Sequence, residues 1–177
     1  MDNSIRKIIF IAVFAALISV GSIIGIPIGP VNIMLANFFI FLAAFILGFP
    51  WAAASVAVFL LLGLIGIPVF QNGGSGISHF AGPTGGFLPG YLLAALLIPL
   101  IADTGKKSLI KDIIAITAGI LIIYLPGIPW LKYKLDFNWP EAFAAGFTPY
   151  ILFDIIKGAA AVFLARSVPF RLKKADA

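Results

Sequence analysis

Two oppositely charged side chains stand in an otherwise apolar segment near the C-terminus. Asp154 and Lys157 occur in the run Tyr-Ile-Leu-Phe-Asp-Ile-Ile-Lys-Gly-Ala-Ala-Ala, and a spacing of three residues places both on one face of a helix. Each charge costs roughly 2.5 to 3.5 kcal/mol at membrane depth, so each needs a compensating partner. We expect the pair to contact a polar ligand. The alternative is a structural ion pair, or a Lys157 side chain that reaches toward the membrane surface.

A glycine-rich segment, residues 66–87, is the second candidate site. It has seven glycines among 22 residues, and glycine permits backbone geometries and a close approach to a ligand that other residues do not. Interspersed residues distinguish it from a solvated Gly/Ser tether: Phe70, Ile77, Phe80 and Pro83. We therefore predict a lid that packs back onto the protein. A flexible linker is the alternative.

The composition indicates that water is not the main solvent of this chain. Of its 177 residues, 62% are apolar and 11% are charged, with a mean hydropathy of +1.12, whereas soluble domains have about 45 to 50% and about 25%. There is no cysteine and a single histidine, His79. These counts exclude disulfides, thiolate metal sites and cysteine nucleophiles, and they argue against a zinc site built from several imidazoles.

Six apolar segments approach the length of about 20 residues that crosses a hydrocarbon core of roughly 30 Å. We predict an all-α bundle of six transmembrane helices in a single domain over residues 1–177, with helices at 5–26, 31–48, 51–67, 87–102, 111–125 and 148–166. Pro89 and Pro99 lie inside the fourth helix and predict a kink. Other prolines fall at or beyond helix ends, where a missing N–H costs least: Pro27, Pro30, Pro50, Pro68 and Pro126.

The basic residues gather on one side of the predicted bundle and do not follow a polar face, so nucleic acid is not an expected partner. The positive-inside rule places both termini in the cytoplasm, with a retained first helix in the cytoplasmic membrane. The long loops at 68–86 and 126–147 then face outward. Nine of the twelve Lys and Arg residues support this orientation: Arg6, Lys7, Lys106, Lys107, Lys111, Arg166, Arg171, Lys173 and Lys174.

The loop motifs and the charged pair together resemble the BioY family, the biotin-specific substrate-binding subunits of energy-coupling-factor (ECF) transporters. The resemblance rests on Gly-Ile-Pro-Val-Phe, Gly-Gly-Ser-Gly and Gly-Pro-Thr-Gly-Gly, in this order within residues 66–86, and on Asp-x-x-Lys in the last predicted helix. It covers nearly the whole chain. It implies a transport protein that is not an enzyme, with biotin as its ligand and no cofactor of its own.

The family also implies which residues contact biotin. Asp154 and Lys157 would hold the ureido ring, since a carboxylate accepts from an N–H and an ammonium donates to a carbonyl. Ser75 would be a polar contact to the same ring. Many relatives have Gln where this chain has Ala36, and the neighbouring Asn37 is the candidate substitute. The expected contacts are Asp154, Lys157, Ser75, Gly73, Gly74, Gly76 and Asn37.

Ala12 and Ala16 form a small-xxx-small pair in the first predicted helix, which allows another helix to approach closely. Ala15 and Ser19 are expected to widen this smooth patch. Spacing alone is a weak signal, but the resemblance implies that Ala12 and Ala16 meet a transmembrane coupling protein bound to two ATPase subunits. This chain has no Walker A loop, so ATP would be bound only by those partners.

Two other classes of function remain open from the residues alone. Gly73-Gly74-Ser75-Gly76 matches the Gly-x-Ser-Gly motif of intramembrane serine proteases, but the one histidine lies only four residues from Ser75 in a predicted loop, and a Ser–His mechanism requires an oriented imidazole. A small channel or a structural membrane protein is the other class. A channel would line its pore with several polar residues, whereas these segments are almost wholly apolar.

Overall fold

The computed structural model describes residues 3–28, 30–102 and 108–168, and this part of the chain is helical apart from one short hairpin. Five basic residues used for the predicted orientation lie outside these ranges: Lys106, Lys107, Arg171, Lys173 and Lys174. The elements follow in chain order: α1 (Asn3–Ile23), β1 (Gly25–Ile28), β2 (Val31–Met34), α2 (Ala36–Leu47), α3 (Trp51–Leu64), a 3-10 turn (Gln71–Gly73), α4 (Gly76–Phe80), α5 (Phe87–Ala102), α6 (Leu109–Leu135), α7 (Trp139–Gly146) and α8 (Thr148–Ser167).

Several helices present apolar surfaces suited to lipid. Three described stretches are long and apolar enough to cross a membrane, and three further apolar helices are shorter. Ile110, Leu125 and Phe163 are 71%, 68% and 70% exposed, and so large an apolar surface is unfavourable in water but not in a bilayer. The chain is therefore a membrane protein. The long stretches are Ser4–Ile23, Leu109–Leu135 and Trp139–Ser167, and the shorter helices are Ala36–Leu47, Trp51–Leu64 and Phe87–Ala102.

An antiparallel hairpin joins α1 to α2, where the sequence predicted helix on both sides of a short loop. β1 pairs with β2 in a register that sets Gly25 opposite Met34 and Pro27 opposite Asn32. The predicted helices at 5–26 and 31–48 were therefore too long, because α1 ends at Ile23 and α2 begins at Ala36. Pro27 and Pro30 have no N–H with which to continue a helix, and the β-branched residues around them favour extended backbone.

The prediction that Pro126 ends the fifth transmembrane helix is wrong. α6 passes through Pro126 and Pro129 to Leu135, and most of the remaining loop predicted at 126–147 is α7. The Phe87 ring of α5 lies where a side chain on Gly127 would stand, within 2.4 Å of an added Cβ. This close packing against α5 supports a helical segment that two prolines would weaken in isolation.

Pro89 does not lie in the middle of a helix, as the predicted kink required. α5 begins at Phe87, so Pro89 lies in its first turn, where the backbone N–H groups have no partner within the helix and a missing one costs little. Pro99 does lie inside α5.

Aromatic rings fill the interior between α2, α3 and the glycine-rich segment. Phe41, Phe45, Phe59 and Phe70 are at most 1% exposed. The Phe70 ring meets Phe59 edge-on, with centroids 5.3 Å apart, and it covers Gly63 so closely that an added Cβ would come within 1.9 Å of it. The glycine-rich segment is thus anchored to the bundle by a buried ring, as the prediction of a segment that packs back onto the protein requires.

A second pair of intramembrane charges joins α6 to α8. Arg166 Nη2 lies 2.7 Å from Asp112 Oδ2, and Arg166 Nε donates to the same oxygen at 2.8 Å. Asp112 is 1% exposed, so its charge depends on this ion pair for compensation. Removing the Arg166 guanidinium would leave the buried Asp112 carboxylate without this counter-charge.

Candidate functional site

Asp154 is the centre of a buried hydrogen-bond network. Asn37 Nδ2 and Lys157 Nζ donate to its Oδ1 at 3.1 Å and 3.0 Å, and the Tyr124 hydroxyl donates to its Oδ2 at 2.6 Å. These donors come from α2, α8 and α6, so three helices fix the orientation of one carboxylate. A carboxylate has about four acceptor positions, and the position left over is on Oδ2.

Local packing holds α8 in place at this point. Pro149 lies in its first turn, where the missing N–H removes no helical hydrogen bond. One turn into the helix, the Tyr150 hydroxyl donates to the backbone carbonyl of Val31 in β2 at 2.5 Å. Gly158 approaches α6 so closely that an added Cβ would lie 2.6 Å from Ile116. Asp154 and Lys157, between these two contacts, are therefore positioned by both the hairpin and α6.

The network faces a cavity inside the bundle, which we call the inner cavity. It spans about 570 Å³ of space not filled by protein atoms, but only about 30 Å³ can hold the centre of a water molecule. Side chains must therefore separate to admit a molecule much larger than water. Its polar and aromatic lining includes Ser22, Asn32, Asn37, Phe70, Gln71, His79, Thr84, Tyr91, Tyr124, Tyr150, Asp154 and Lys157.

Two amide oxygens in the lining of the inner cavity have no protein partner among the described residues. They are Asn37 Oδ1 and Gln71 Oε1, both buried. A buried acceptor without a partner is rare because it loses its hydrogen bonds to water and gains nothing in return. The cavity thus offers unpaired acceptors beside one buried ammonium, Lys157, whose side chain is 12% exposed. It is suited to a ligand that carries N–H donors and a carbonyl.

A second space, the outer cavity, spans about 700 Å³ of space not filled by protein atoms and lies against the glycine-rich segment. Ser75 and Gly74 line it, whereas neither of them lines the inner cavity. Gly73 and Gly76 line neither cavity, but both have positive φ, 72° and 73°, which favours glycine. Three residues line both spaces and form the wall between them: Gln71, His79 and Thr84.

The structure therefore groups the predicted site residues unequally. Asp154, Lys157 and Asn37 come together in one network, and their contact with biotin stays a prediction. Ser75 lies on the outer side of the shared wall, and its role in contacting the same ligand group stays a prediction.

The glycine-rich segment is joined to its neighbours by two hydrogen bonds. Asn32 Nδ2 of β2 donates to Asn72 Oδ1 at 2.7 Å, and Asn72 has the left-handed backbone conformation, with φ 57°. Trp130 Nε1 of α6 donates to the Gly82 carbonyl at 2.8 Å. The hairpin thus holds the glycine-rich segment at Asn72, and α6 holds it at Gly82.

His79 makes the stability of this cover dependent on pH. Its ring stacks on Phe70, with centroids 4.9 Å apart, and burial lowers its pKa below the ordinary value of 6.5. The unfolded chain therefore takes up a proton more readily, so the stability that neutral His79 contributes is present above pH 6.5 and is lost as the pH falls. We expect the melting temperature to drop between about pH 7.5 and about pH 5.5, and His79→Gln to reduce that drop. If the melting temperature of the variant fell by as much as that of the wild type, groups other than His79 would be responsible for the pH dependence.

Sequence reasoning missed three polar residues that line the inner cavity. Tyr124, Tyr91 and Gln71 are single polar groups within apolar or glycine-rich stretches, so no spacing pattern marks them. The available signal was the rarity of a polar group at membrane depth, which applied to Tyr124 as it did to Asp154.

Ala12 and Ala16 lie exposed on α1, one turn apart. Ala15 is 2% exposed and Ser19 is 8% exposed, and the Ser19 hydroxyl donates to the Ala15 carbonyl. The expectation that Ala15 and Ser19 widen the patch is wrong, because they face the interior of the bundle. The exposed small-residue surface consists of Ala12 and Ala16.

Comparisons with known proteins give consistent matches over most of the chain. The profile of the BioY family matches residues 1–174. The "Biotin transporter BioY" of Thermotoga maritima is 40% identical over 97% of this chain and 98% of its own length. The protein of the same name from Rhodobacter capsulatus is 34% identical over 92% and 93%.

A solved structure has the same fold over nearly its full length. It is the crystal structure of "the S-component for biotin from an ECF-type ABC transporter", with a TM-score of 0.85, 29% sequence identity, and coverage of 94% of this chain and 93% of that one. The family match, the two relatives and the shared fold lead to one conclusion: this chain belongs to the BioY family.

Proposed function

We propose that this chain captures biotin for uptake across the membrane, as the substrate-binding subunit of an ECF-type transporter. The observation that carries the proposal is the Asp154 network at the inner cavity, where a fixed carboxylate, an ammonium and an amide oxygen without a partner stand together. The ureido ring of biotin has two N–H donors and one carbonyl. Lys157 donates to that carbonyl, and Asp154 Oδ2 or Asn37 Oδ1 accepts from an N–H.

The relatives favour transport over the two alternatives. They are described as biotin transporters. Among the described side chains no hydrogen bond joins Ser75 to His79, whose imidazole stacks on Phe70 instead. The serine protease alternative therefore has no oriented base.

Mass spectrometry of small molecules that co-purify with the detergent-extracted protein tests the substrate directly. We expect biotin. Thiamin or riboflavin in its place would contradict the assignment of biotin as the substrate. An unliganded protein that also fails to bind added biotin would contradict the proposed function.

The proposed membrane arrangement has six spans, α1, α2, α3, α5, α6 and α8, with both termini in the cytoplasm and the inner cavity toward the outer side. It is supported by the apolar helices and by the distribution of Lys and Arg along the sequence. Ala12 and Ala16 are the proposed contact with the coupling subunit, which binds two ATPase subunits. Cysteine accessibility at the two termini and in the loop at 68–86 would test the orientation.

The glycine-rich segment acts as the lid in this proposal, and its geometry predicts how it responds to added side chains. An added Cβ on Gly74 would lie 2.3 Å from His79 Nδ1, and Gly76 has φ 73° with open space around it. Gly74→Val therefore displaces the wall residue His79, and Gly76→Val strains the backbone. We expect both to raise the dissociation rate of biotin by about tenfold, or about 1.4 kcal/mol.

Ala81→Val is the matched control for these variants. Ala81 is an exposed residue of the same segment with an ordinary helical backbone, so it should keep the wild-type dissociation rate. If Gly74→Val and Gly76→Val also kept that rate, the segment would be a tolerant linker and not a lid.

A further inference from the structure

We propose that Gln71 is a specificity-determining residue of the biotin site, whose side-chain oxygen accepts a hydrogen bond from a ureido N–H of the ligand. The proposal rests on the proposed function of the inner cavity and adds a contact to it. Neither the loop motifs nor the charged pair points to this residue.

The first observation is the Gln71 amide itself. The residue is 9% exposed, and its Oε1 has no hydrogen-bond partner among the described residues. An amide oxygen can only accept, so its missing partner must be a donor. The oxygen is buried in the wall of a cavity that already contains Asp154 and Lys157, and a ligand in that cavity is able to supply the donor.

The second observation is that the backbone around Gln71 is held in place. The preceding ring, Phe70, is buried over Gly63. The Gly74 N–H donates to the Gln71 carbonyl at 3.0 Å. The next residue, Asn72, accepts from Asn32 at 2.7 Å. The position from which the Gln71 side chain extends is therefore fixed, which gives the contact part of the preorganisation that binding requires.

The third observation is the number of hydrogen-bond acceptors available to the ureido ring of biotin. Asp154 already accepts from Tyr124, Asn37 and Lys157, and its free position and Asn37 Oδ1 both belong to this network. Gln71 belongs to the shared wall with the outer cavity. A cyclic urea has two N–H groups directed away from each other, so one faces the Asp154 network and the other is left for Gln71. Ligands that lack the second N–H are then discriminated against at Gln71.

The test compares two Gln71 variants with three ligands, using the full-length protein in detergent and isothermal titration calorimetry. Gln71→Met removes the acceptor at similar volume, and Gln71→Glu keeps an acceptor oxygen. The ligands are biotin and the two isomers of biotin that carry a methyl group on one ureido nitrogen. Asn72→Gly is the matched control, because it removes the contact with Asn32 but keeps a backbone that tolerates positive φ.

We expect Gln71→Met to weaken biotin binding by about tenfold to a hundredfold. One isomer has its methyl group in place of the N–H that meets Gln71, and the variant should bind that isomer as well as the wild-type protein does. Gln71→Glu should stay within a few fold of the wild type for biotin. Asn72→Gly should weaken all three ligands by the same factor, since it loosens the lid and not a single contact.

Three results would overturn the proposal. Gln71→Met could leave the dissociation constant unchanged, or it could weaken all three ligands equally with a lower melting temperature, which would make Gln71 structural. Gln71→Glu could weaken biotin strongly but not its methyl ester, which would place the carboxylate tail, and not the ureido ring, at Gln71. Failure of the wild-type protein to bind biotin would instead refute the proposed function.

Discussion

Asp154→Asn is expected to weaken biotin binding by about tenfold to a hundredfold. Asparagine keeps the shape of the side chain but has one acceptor oxygen where aspartate has two. Three protein donors converge on Asp154, at distances of 2.6 to 3.1 Å. With an amide NH2 in place of one oxygen, either Asn37 and Lys157 lose their acceptor, or Tyr124 and a ligand N–H that pairs with Oδ2 lose theirs.

Lys157→Met should have an effect of similar size for a different reason. It removes the ammonium that donates to the ligand carbonyl, and it leaves the Asp154 carboxylate with only the two neutral donors Tyr124 and Asn37. Titration calorimetry with purified protein gives the dissociation constants, and thermal unfolding without ligand reports any separate loss of stability.

The second buried ion pair supplies the control for both variants. Asp112 and Arg166 join the same two helices, α6 and α8, but neither of them lines the inner cavity. Asp112→Asn should therefore lower the melting temperature and leave the dissociation constant near that of the wild type. If Asp154→Asn and Lys157→Met behaved in that same way, the pair would be structural and the site assignment wrong.

The charged pair could be predicted from the sequence because charge at membrane depth is rare and expensive, so that position and residue type carry the signal without any structure. The residues that complete the site carry no such signal. Asn37 donates to a carboxylate 117 positions away, and Tyr124 to one 30 positions away. Only the packing of α2, α6 and α8 brings them together. Gln71 carries no such signal either, because it is a single polar residue in a segment whose distinguishing feature is its glycines.

The error at the end of the fifth predicted helix has a physical cause, which is that a local proline rule was applied where tertiary packing decides. Pro126 was expected to end a helix, yet α6 continues through it against α5, with Phe87 packed over Gly127. At Pro27 and Pro30 the local rule did hold, and the chain forms a hairpin there. The hairpin contacts two parts of the proposed site, because Asn32 donates to Asn72 of the glycine-rich segment and the Val31 carbonyl accepts from the Tyr150 hydroxyl.

Ala12→Trp and Ala16→Trp are expected to separate binding from transport. Both alanines are exposed on α1, and neither lines the inner or the outer cavity, so biotin binding by the isolated protein should be unchanged. In cells that also express the coupling subunit and the ATPases, biotin uptake should fall to background. The reason is steric, since small residues let two helices approach closely and an indole at either position holds them apart.

Ile114→Trp tests whether any large ring on the membrane-facing surface would have the same effect. Ile114 is 53% exposed on α6, a helix that the proposed interface does not include, so this variant should transport biotin at the wild-type rate. A pull-down of the coupling subunit from solubilised membranes completes the comparison, because the two alanine variants should no longer retain it while Ile114→Trp should. Undiminished retention by Ala12→Trp and Ala16→Trp would place the coupling subunit on another face of the protein.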